Sequence, residues 1–166
     1  MSIKKIFLLG ATGQIGKELA YEFKEIENIE IVCHSRAKVK SSFFNFYNIK
    51  NVIGNLNDTN IINEINDADL IFDLAAPNIG TLKEIKKFYK NRADIIIANM
   101  KKNSKIVFAS TMNAYGIDNK RKKLKNYFIS SSIYSSNKRF AENYYEKLGK
   151  KNNINVFILR LGEVHG

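Results

Sequence analysis

Gly10-Ala11-Thr12-Gly13-Gln14-Ile15-Gly16 stands between a continuous apolar run, Ile6-Phe7-Leu8-Leu9, and a segment in which Ile15, Leu19 and Phe23 recur every four residues. The run reads as a buried strand and the segment as a helix with one apolar face. A glycine turn between two such elements has a specific use. It permits a tight reversal, lets the backbone approach a pyrophosphate, and allows helix and strand to pack closely. The helix start adds unpaired N–H groups and partial positive charge. In this context the spacing points to a bound dinucleotide, with Gly10, Thr12, Gly13, Gln14 and Ile15 around its phosphates.

The same alternation continues to the end of the chain. Strands are expected at Ile29 to His34, Leu70 to Leu74, Ile106 to Ala109 and Val156 to Leu159. Helices are expected from Asp58 to Ile65, with Asp58 as N-cap, from Leu82 to Met100, and from about Tyr134 to Leu148, with Gly149 placed to end the last. Continuous apolar strands alternating with helices predict a doubly wound parallel sheet of the α/β class, covered on both faces. No repeat or linker divides the 166 residues, which suit one domain.

Cys33 is the only cysteine, which excludes a disulfide framework. If residues 29–34 form a strand, Cys33 and His34 point to opposite faces and cannot share a metal. No apolar run is long enough for a membrane span. The start, Met1 to Gly13, mimics a signal peptide, but its apolar stretch is short and runs at once into Thr12-Gly13-Gln14. It reads as the first strand of a cytoplasmic protein. The net charge of +11 sets 22 lysines and 5 arginines, mostly scattered, against 16 acidic residues. One dense cluster, Asn119 to Asn126, lacks the aromatic or recognition-helix pattern of a nucleic-acid site. A smaller anionic substrate fits this field better.

At the end of the second strand an NAD site offers a carboxylate to the ribose hydroxyls. Here Cys33-His34-Ser35-Arg36 has none, and Ser35 with Arg36 suits a 2′-phosphate. The expected cofactor is NADP, with NAD as the alternative. Further along, Tyr134 and Lys138 are four residues apart and share a helix face. An ammonium beside a phenol favours tyrosinate, so the pair suits proton transfer. Phe108 to Gly116 follows a buried strand and offers the Thr111 hydroxyl to a substrate oxygen.

Taken in order, these segments resemble the NAD-dependent epimerase/dehydratase family of extended short-chain dehydrogenase/reductases, which act on nucleotide sugars. Gly10, Gly13 and Gly16 match its glycine motif. Gly54-Asn55-Leu56-Asn57-Asp58 resembles its G-D-L stretch near the adenine. Asp69-Leu70-Ile71-Phe72-Asp73-Leu74-Ala75-Ala76 resembles its D-x-V-x-H-x-A-A strand, whose end lies along the cofactor. Asn91 resembles its helix asparagine, and Thr111, Tyr134 and Lys138 fall at its catalytic positions, with Glu142 one turn later. Arg160 to Gly166 resembles R-x-x-x-V-Y-G, with His165 in place of the Tyr.

The resemblance implies a Rossmann fold over residues 1–166, incomplete at its C-terminal end, with the substrate-binding part missing. It implies cofactor contacts from Asn55, Leu56, Leu74, Ala75, Ala76, Asn91, Tyr134 and Lys138 besides the glycine turn, Ser35 and Arg36. It also implies a nucleotide-sugar substrate and a homodimer through the two long helices. Dehydratases of the family carry acidic residues directly after the catalytic threonine, whereas Met112 and Asn113 stand here. Epimerase-reductases of the GDP-fucose type carry a cysteine at the place of Asn113. The expected reaction is therefore oxidation-reduction at sugar C4, by an epimerase or a 4-ketoreductase, the alternative being a catalytically silent dinucleotide-binding module.

Overall fold

A computed structural model of the chain describes residues 3–37, 42–77, 80–115 and 133–162. The basic cluster Asn119 to Asn126, Gly116 and the closing residues Glu163 to Gly166 lie outside the described residues. Six strands, β1 (Lys5–Leu9), β2 (Glu30–Ser35), β3 (Lys50–Ile53), β4 (Leu70–Asp73), β5 (Lys105–Thr111) and β6 (Asn155–Leu161), form one parallel sheet in the order β3-β2-β1-β4-β5-β6. The helices are α1 (Gln14–Lys24), α2 (Ser42–Phe46), α3 (Thr59–Asp67), α4 (Leu82–Asn99) and α5 (Ile133–Asn152), with a 3-10 turn at Met112–Tyr115. This is the Rossmann arrangement that the apolar pattern predicts.

Every residue of β1 is buried, because it is the central strand and has helices on both faces. Phe7 and Leu9 point to the side of α3, α4 and α5, where Ile61, Ile65, Ile71, Ala93, Ile96, Ile106 and Phe108 complete the larger core. Ile6 and Leu8 point to the side of α1 and α2 and meet Ala20, Ile31, Cys33 and Phe44. Each fully buried Ile, Leu or Phe contributes about 1.5–3 kcal/mol of transfer free energy. Cys33 and His34 do point to opposite faces: Cys33 lies in the α1 core, while the His34 ring meets Phe7 edge-on at 6.3 Å. Burial pushes the Cys33 thiol up to about 12, so it behaves as a small apolar group.

Several boundaries differ from expectation for local reasons. Asp58 is the N-cap of α3, but its carboxylate accepts from the Asn55 N–H at 2.7 Å instead of capping the helix. Gly149 does not end α5. The helix runs on to Asn152, and Gly149 is buried within it where a Cβ would collide with Val156 of β6. The turn out of the helix falls at Asn153, in the left-handed region at φ 56°. Helix α4 starts on a capping box in which the Thr81 N–H donates to Glu84 Oε2 at 2.8 Å and the Glu84 N–H donates to Thr81 Oγ1. No helix among the described residues is long and apolar enough to cross a membrane.

Candidate active site

All six strands end on the same side of the sheet. The order reverses beside β1, whose neighbours β2 and β4 diverge to opposite halves. A crevice at such a switch point, outside the carboxyl ends of the strands, is where this fold takes a dinucleotide. The glycine turn occupies that point. Gly10 has φ 82°, and a Cβ there would sit 2.7 Å from the backbone nitrogen of Ala75, just past β4. The Leu74 N–H donates to the Leu9 carbonyl at 2.9 Å, so the exits of β1 and β4 are tied together. At Gly16 a Cβ would meet the Gly10 carbonyl oxygen and the Ala11 Cα at 2.6 Å, which is the close helix–strand contact that the third glycine allows.

Gly13 differs from both. It is the N-cap of α1, in extended conformation, and a Cβ there would meet only the Gly10 oxygen at 3.5 Å. No side chain caps this helix, and no acidic residue stands in its first turn. The first intrahelical bond runs from the Lys17 N–H to the Gly13 carbonyl, leaving the N–H groups of Gln14, Ile15 and Gly16 without helical partners. An open glycine at an uncapped helix start fits a pyrophosphate: anion and donors meet with no side chain between them.

Around the crevice, Ser35 closes β2 and Arg36 follows it, exposed. The Ser35 hydroxyl is buried and accepts from Asn51 Nδ2 at 3.0 Å, so Arg36 is the freer of the two towards a ligand. His34, not among the expected site residues, donates from Nε2 to the Gly54 carbonyl at 2.9 Å and pins the β3 exit to β2. Its burial holds the imidazole below the usual histidine value. Asn55 is exposed and Leu56 half-buried just beyond β3. Leu74 and Ala75 are half-buried and Ala76 exposed beyond β4. Asn91 lies on the exposed side of α4, and its neighbour Arg92 is the residue that faces the sheet.

Thr111 is the last residue of β5, and its Oγ1 accepts from the Asn113 N–H at 3.3 Å. Tyr134 is in the first turn of α5, half exposed, and burial of its other half pushes the phenol above the usual tyrosine value. Lys138 is buried on the same helix. Its ammonium does not seek the phenol: it donates to the Ala109 carbonyl at 2.6 Å and lies over the rings of Phe108 (4.9 Å) and Tyr89 (5.4 Å). The helix spacing thus places Tyr134 and Lys138 on one face, while the lowered phenol expected from their pairing is not found. Burial brings the Lys138 amine down to about 8, against the opposing pull of Asp73 and Glu142.

Glu142 explains how α5 is fixed here. Its carboxylate accepts from Ser110 Oγ at 2.5 Å, from Arg160 Nε at 2.9 Å and from Arg160 Nη2 at 2.6 Å, joining β5, α5 and β6. On the other side Asp73, fully buried at the β4 exit, accepts from Arg92 Nε at 2.7 Å and from the Tyr145 hydroxyl at 2.5 Å. Asp73 stands where the family pattern has His.

The sequence profile of the NAD dependent epimerase/dehydratase family matches residues 6–166. The chain belongs to this family. No curated protein matches it by sequence. Among solved structures it is similar to UDP-glucuronic acid 4-epimerase from Bacillus cereus in complex with NAD, with TM-score 0.79 and 20% identity over 98% of this chain and 57% of that one. It is also similar to UDP-N-acetylglucosamine 4-epimerase from Bacillus cereus, with TM-score 0.77 and 22% identity over 99% of this chain and 62% of that one. A third is the terminal R domain of the myxalamid PKS-NRPS pathway, with TM-score 0.78 and 18% identity over 100% of this chain and 50% of that one. This member of the epimerase/dehydratase family therefore spans between half and about three fifths of the length of these structures.

Proposed function

We propose that the chain binds a nicotinamide dinucleotide in the crevice above β1 and β4 and serves oxidation-reduction at C4 of a nucleotide-linked sugar, as an epimerase or a 4-ketoreductase. The observation that carries this reading is the uncapped, sterically open start of α1, placed at the switch point of the sheet in a chain of this family. Gly10, Thr12, Gly13, Gln14 and Ile15 hold the phosphates. Ser35, Arg36, Asn55 and Leu56 face the adenosine, and Leu74, Ala75 and Ala76 line the path towards the nicotinamide. When bound, the dinucleotide supplies the hydride acceptor or donor. Arg36 supports NADP, and the NAD held by the similar UDP-glucuronic acid 4-epimerase supports NAD.

The chain's own residues handle the proton and the oxygen. Tyr134, partly open to solvent, takes the proton of the sugar hydroxyl on its phenolic oxygen or returns it. Thr111, at the end of β5, donates its hydroxyl hydrogen to the reacting oxygen. Lys138, as an ammonium, holds the ribose hydroxyls and favours the tyrosinate once the Ala109 bond gives way. A homodimer through α4 and α5 belongs to the same reading, and the mass in solution tests it.

A second reading has its own support. Lys138 is committed to Ala109 and burial raises the Tyr134 phenol, so a chain that binds the dinucleotide without turnover agrees with the resting geometry. One experiment separates the two. Calorimetric titration with NADPH and NADH gives the cofactor. With a panel of UDP-, GDP- and dTDP-hexoses, chromatography of the sugars then reports epimerisation, and absorbance of the reduced nicotinamide reports net reduction or oxidation. The enzyme reading expects turnover that Tyr134→Phe abolishes at unchanged cofactor affinity. Binding without turnover leaves the silent module, and binding of neither dinucleotide overturns both.

A further inference from the structure

Asp73 has no exposed surface, and among the described residues its carboxylate accepts three hydrogen bonds, each from a different part of the site. Oδ1 accepts from Arg92 Nε on α4 at 2.7 Å and from the Ala75 backbone N–H at 3.3 Å. Oδ2 accepts from the Tyr145 hydroxyl on α5 at 2.5 Å. The Ala75 backbone is what Gly10 packs against, with no room for a Cβ between them. Tyr145 in turn stacks on Phe108 of β5, with centroids 4.6 Å apart and planes 18° from parallel, and the Lys138 ammonium lies 4.9 Å from the centre of the same Phe108 ring. One carboxylate thus connects the glycine turn to the helix that carries Tyr134 and Lys138.

Core stability alone does not account for this arrangement. A buried ion pair adds little over apolar packing of equal volume. Nη2 of Arg92 is buried with no hydrogen-bond partner among the described residues, an unsatisfied donor that a purely structural design would avoid. We propose that Asp73 is the positioning residue of this site: its carboxylate fixes the β4 exit against the glycine turn and, through Arg92 and Tyr145, sets where and how strongly the Lys138 ammonium is held. The inference deepens the function proposed above and rests on that reading for its purpose, but the effect on Lys138 is measurable without any ligand.

Among the described residues, the charges that act on Lys138 are Asp73 from β4, Arg92 from α4 and Glu142 from α5 itself, and its ammonium lies over the Tyr89 ring of α4. Asp73 draws the Lys138 titration up and Arg92 draws it down. Removing each charge in turn therefore moves Lys138 in opposite directions, which lost packing alone does not produce. The measurement is carbon NMR of the lysine side chains across pH, with Lys138 assigned from Lys138→Arg. Asp73→Asn is expected to lower the Lys138 midpoint by about one pH unit, and Arg92→Gln to raise it.

Asp73→Asn alone leaves Arg92 without a counter-charge and destabilises the fold. The double variant Asp73→Asn/Arg92→Gln removes both charges and keeps side chains that hydrogen-bond. Going from Arg92→Gln to the double variant repeats the Asp73 step in a background free of that charge, and the midpoint is again expected to fall. An unmoved midpoint, or shifts in the same direction for both single changes, overturns the inference. Dinucleotide titration of the unaltered chain alongside tests the functional reading separately. If that chain binds neither NAD nor NADP the reading fails, and the Lys138 shifts still decide the role of Asp73.

Discussion

The Lys138 ammonium donates to the Ala109 carbonyl at 2.6 Å, so α5 delivers its lysine to the end of β5 and not to the phenol of Tyr134 one turn earlier. The bond holds a buried cation whose amine titrates at about 8. Below that pH the group is charged and can donate to ribose hydroxyls; above it the charge is lost. Dinucleotide affinity is therefore expected to fall as pH rises through about 8. Lys138→Met is expected to weaken binding about tenfold at neutral pH, the scale of one charged hydrogen bond, and to flatten the pH dependence. Calorimetric titrations on both sides of that midpoint check it, and an unchanged pH profile in Lys138→Met would remove Lys138 from the ribose.

Two glycines of one turn are expected to fail in different ways. A methyl at Gly16 would lie 2.6 Å from the Gly10 oxygen and the Ala11 Cα, and backbone cannot yield as a side chain does. Gly16→Ala should cost about 1–3 kcal/mol in denaturant unfolding, the usual range for overpacking. A methyl at Gly13 meets only the Gly10 oxygen at 3.5 Å. Gly13→Ala should leave stability within about 0.5 kcal/mol. It should weaken dinucleotide binding, because the methyl occupies the mouth of the anion site. Equal loss of stability in both variants would show that Gly13 serves packing alone.

What the sequence revealed, and what it concealed, follows from how far apart the cooperating residues lie. Strands β1, β2, β4 and β5 announce themselves because burial inside the sheet makes them largely apolar, and β6 does so through its run Val156-Phe157-Ile158-Leu159, although it lies at an edge with Phe157 and Leu159 exposed. Strand β3, Lys50-Asn51-Val52-Ile53, hides because only two of its four residues are apolar, too short a run to read as a strand. The glycine turn is legible since all its parts are contiguous. Asp73 is not, because its partners Arg92 and Tyr145 stand 19 and 72 residues away and only the packing of α4 and α5 brings them to it. Gly149 misleads for a similar reason: a glycine late in a helix reads as a stop, yet here it makes room for Val156. Asn91 and Arg92 are adjacent in sequence, and the helix phase that turns Arg92 inward is set by the apolar residues Ala93, Ile96 and Ile97 that follow.

Glu142 and Arg160 form a paired contact through both carboxylate oxygens, with the Arg160 side chain 15% and the Glu142 side chain 4% exposed. Removing one partner strands a nearly buried charge, which costs about 3–5 kcal/mol. Arg160→Met is expected to lose stability on that scale in urea unfolding and to loosen β6, read as faster amide exchange along Asn155–Leu161. Arg160→Lys should recover only part of it, since an ammonium cannot offer the two parallel donors of a guanidinium. Full recovery by lysine would mean that charge alone holds β6 to α5.

His34 ties stability to pH. Its imidazole is buried, donates to the Gly54 carbonyl, and titrates below its ordinary 6.5 because burial disfavours the cation. Between 6.5 and that lowered value the unfolded chain binds a proton that the folded chain does not. Stability therefore falls as the pH drops through 6.5, and this loss ends once the folded state also takes the proton. His34→Gln keeps an amide donor for the Gly54 carbonyl but cannot titrate. Its unfolding free energy is expected to change less between neutral pH and the acid limb than that of the unaltered chain, with similar stability at neutral pH. Urea unfolding at a series of pH values gives both curves, and parallel curves would place the acid sensitivity in the carboxylates and not in His34.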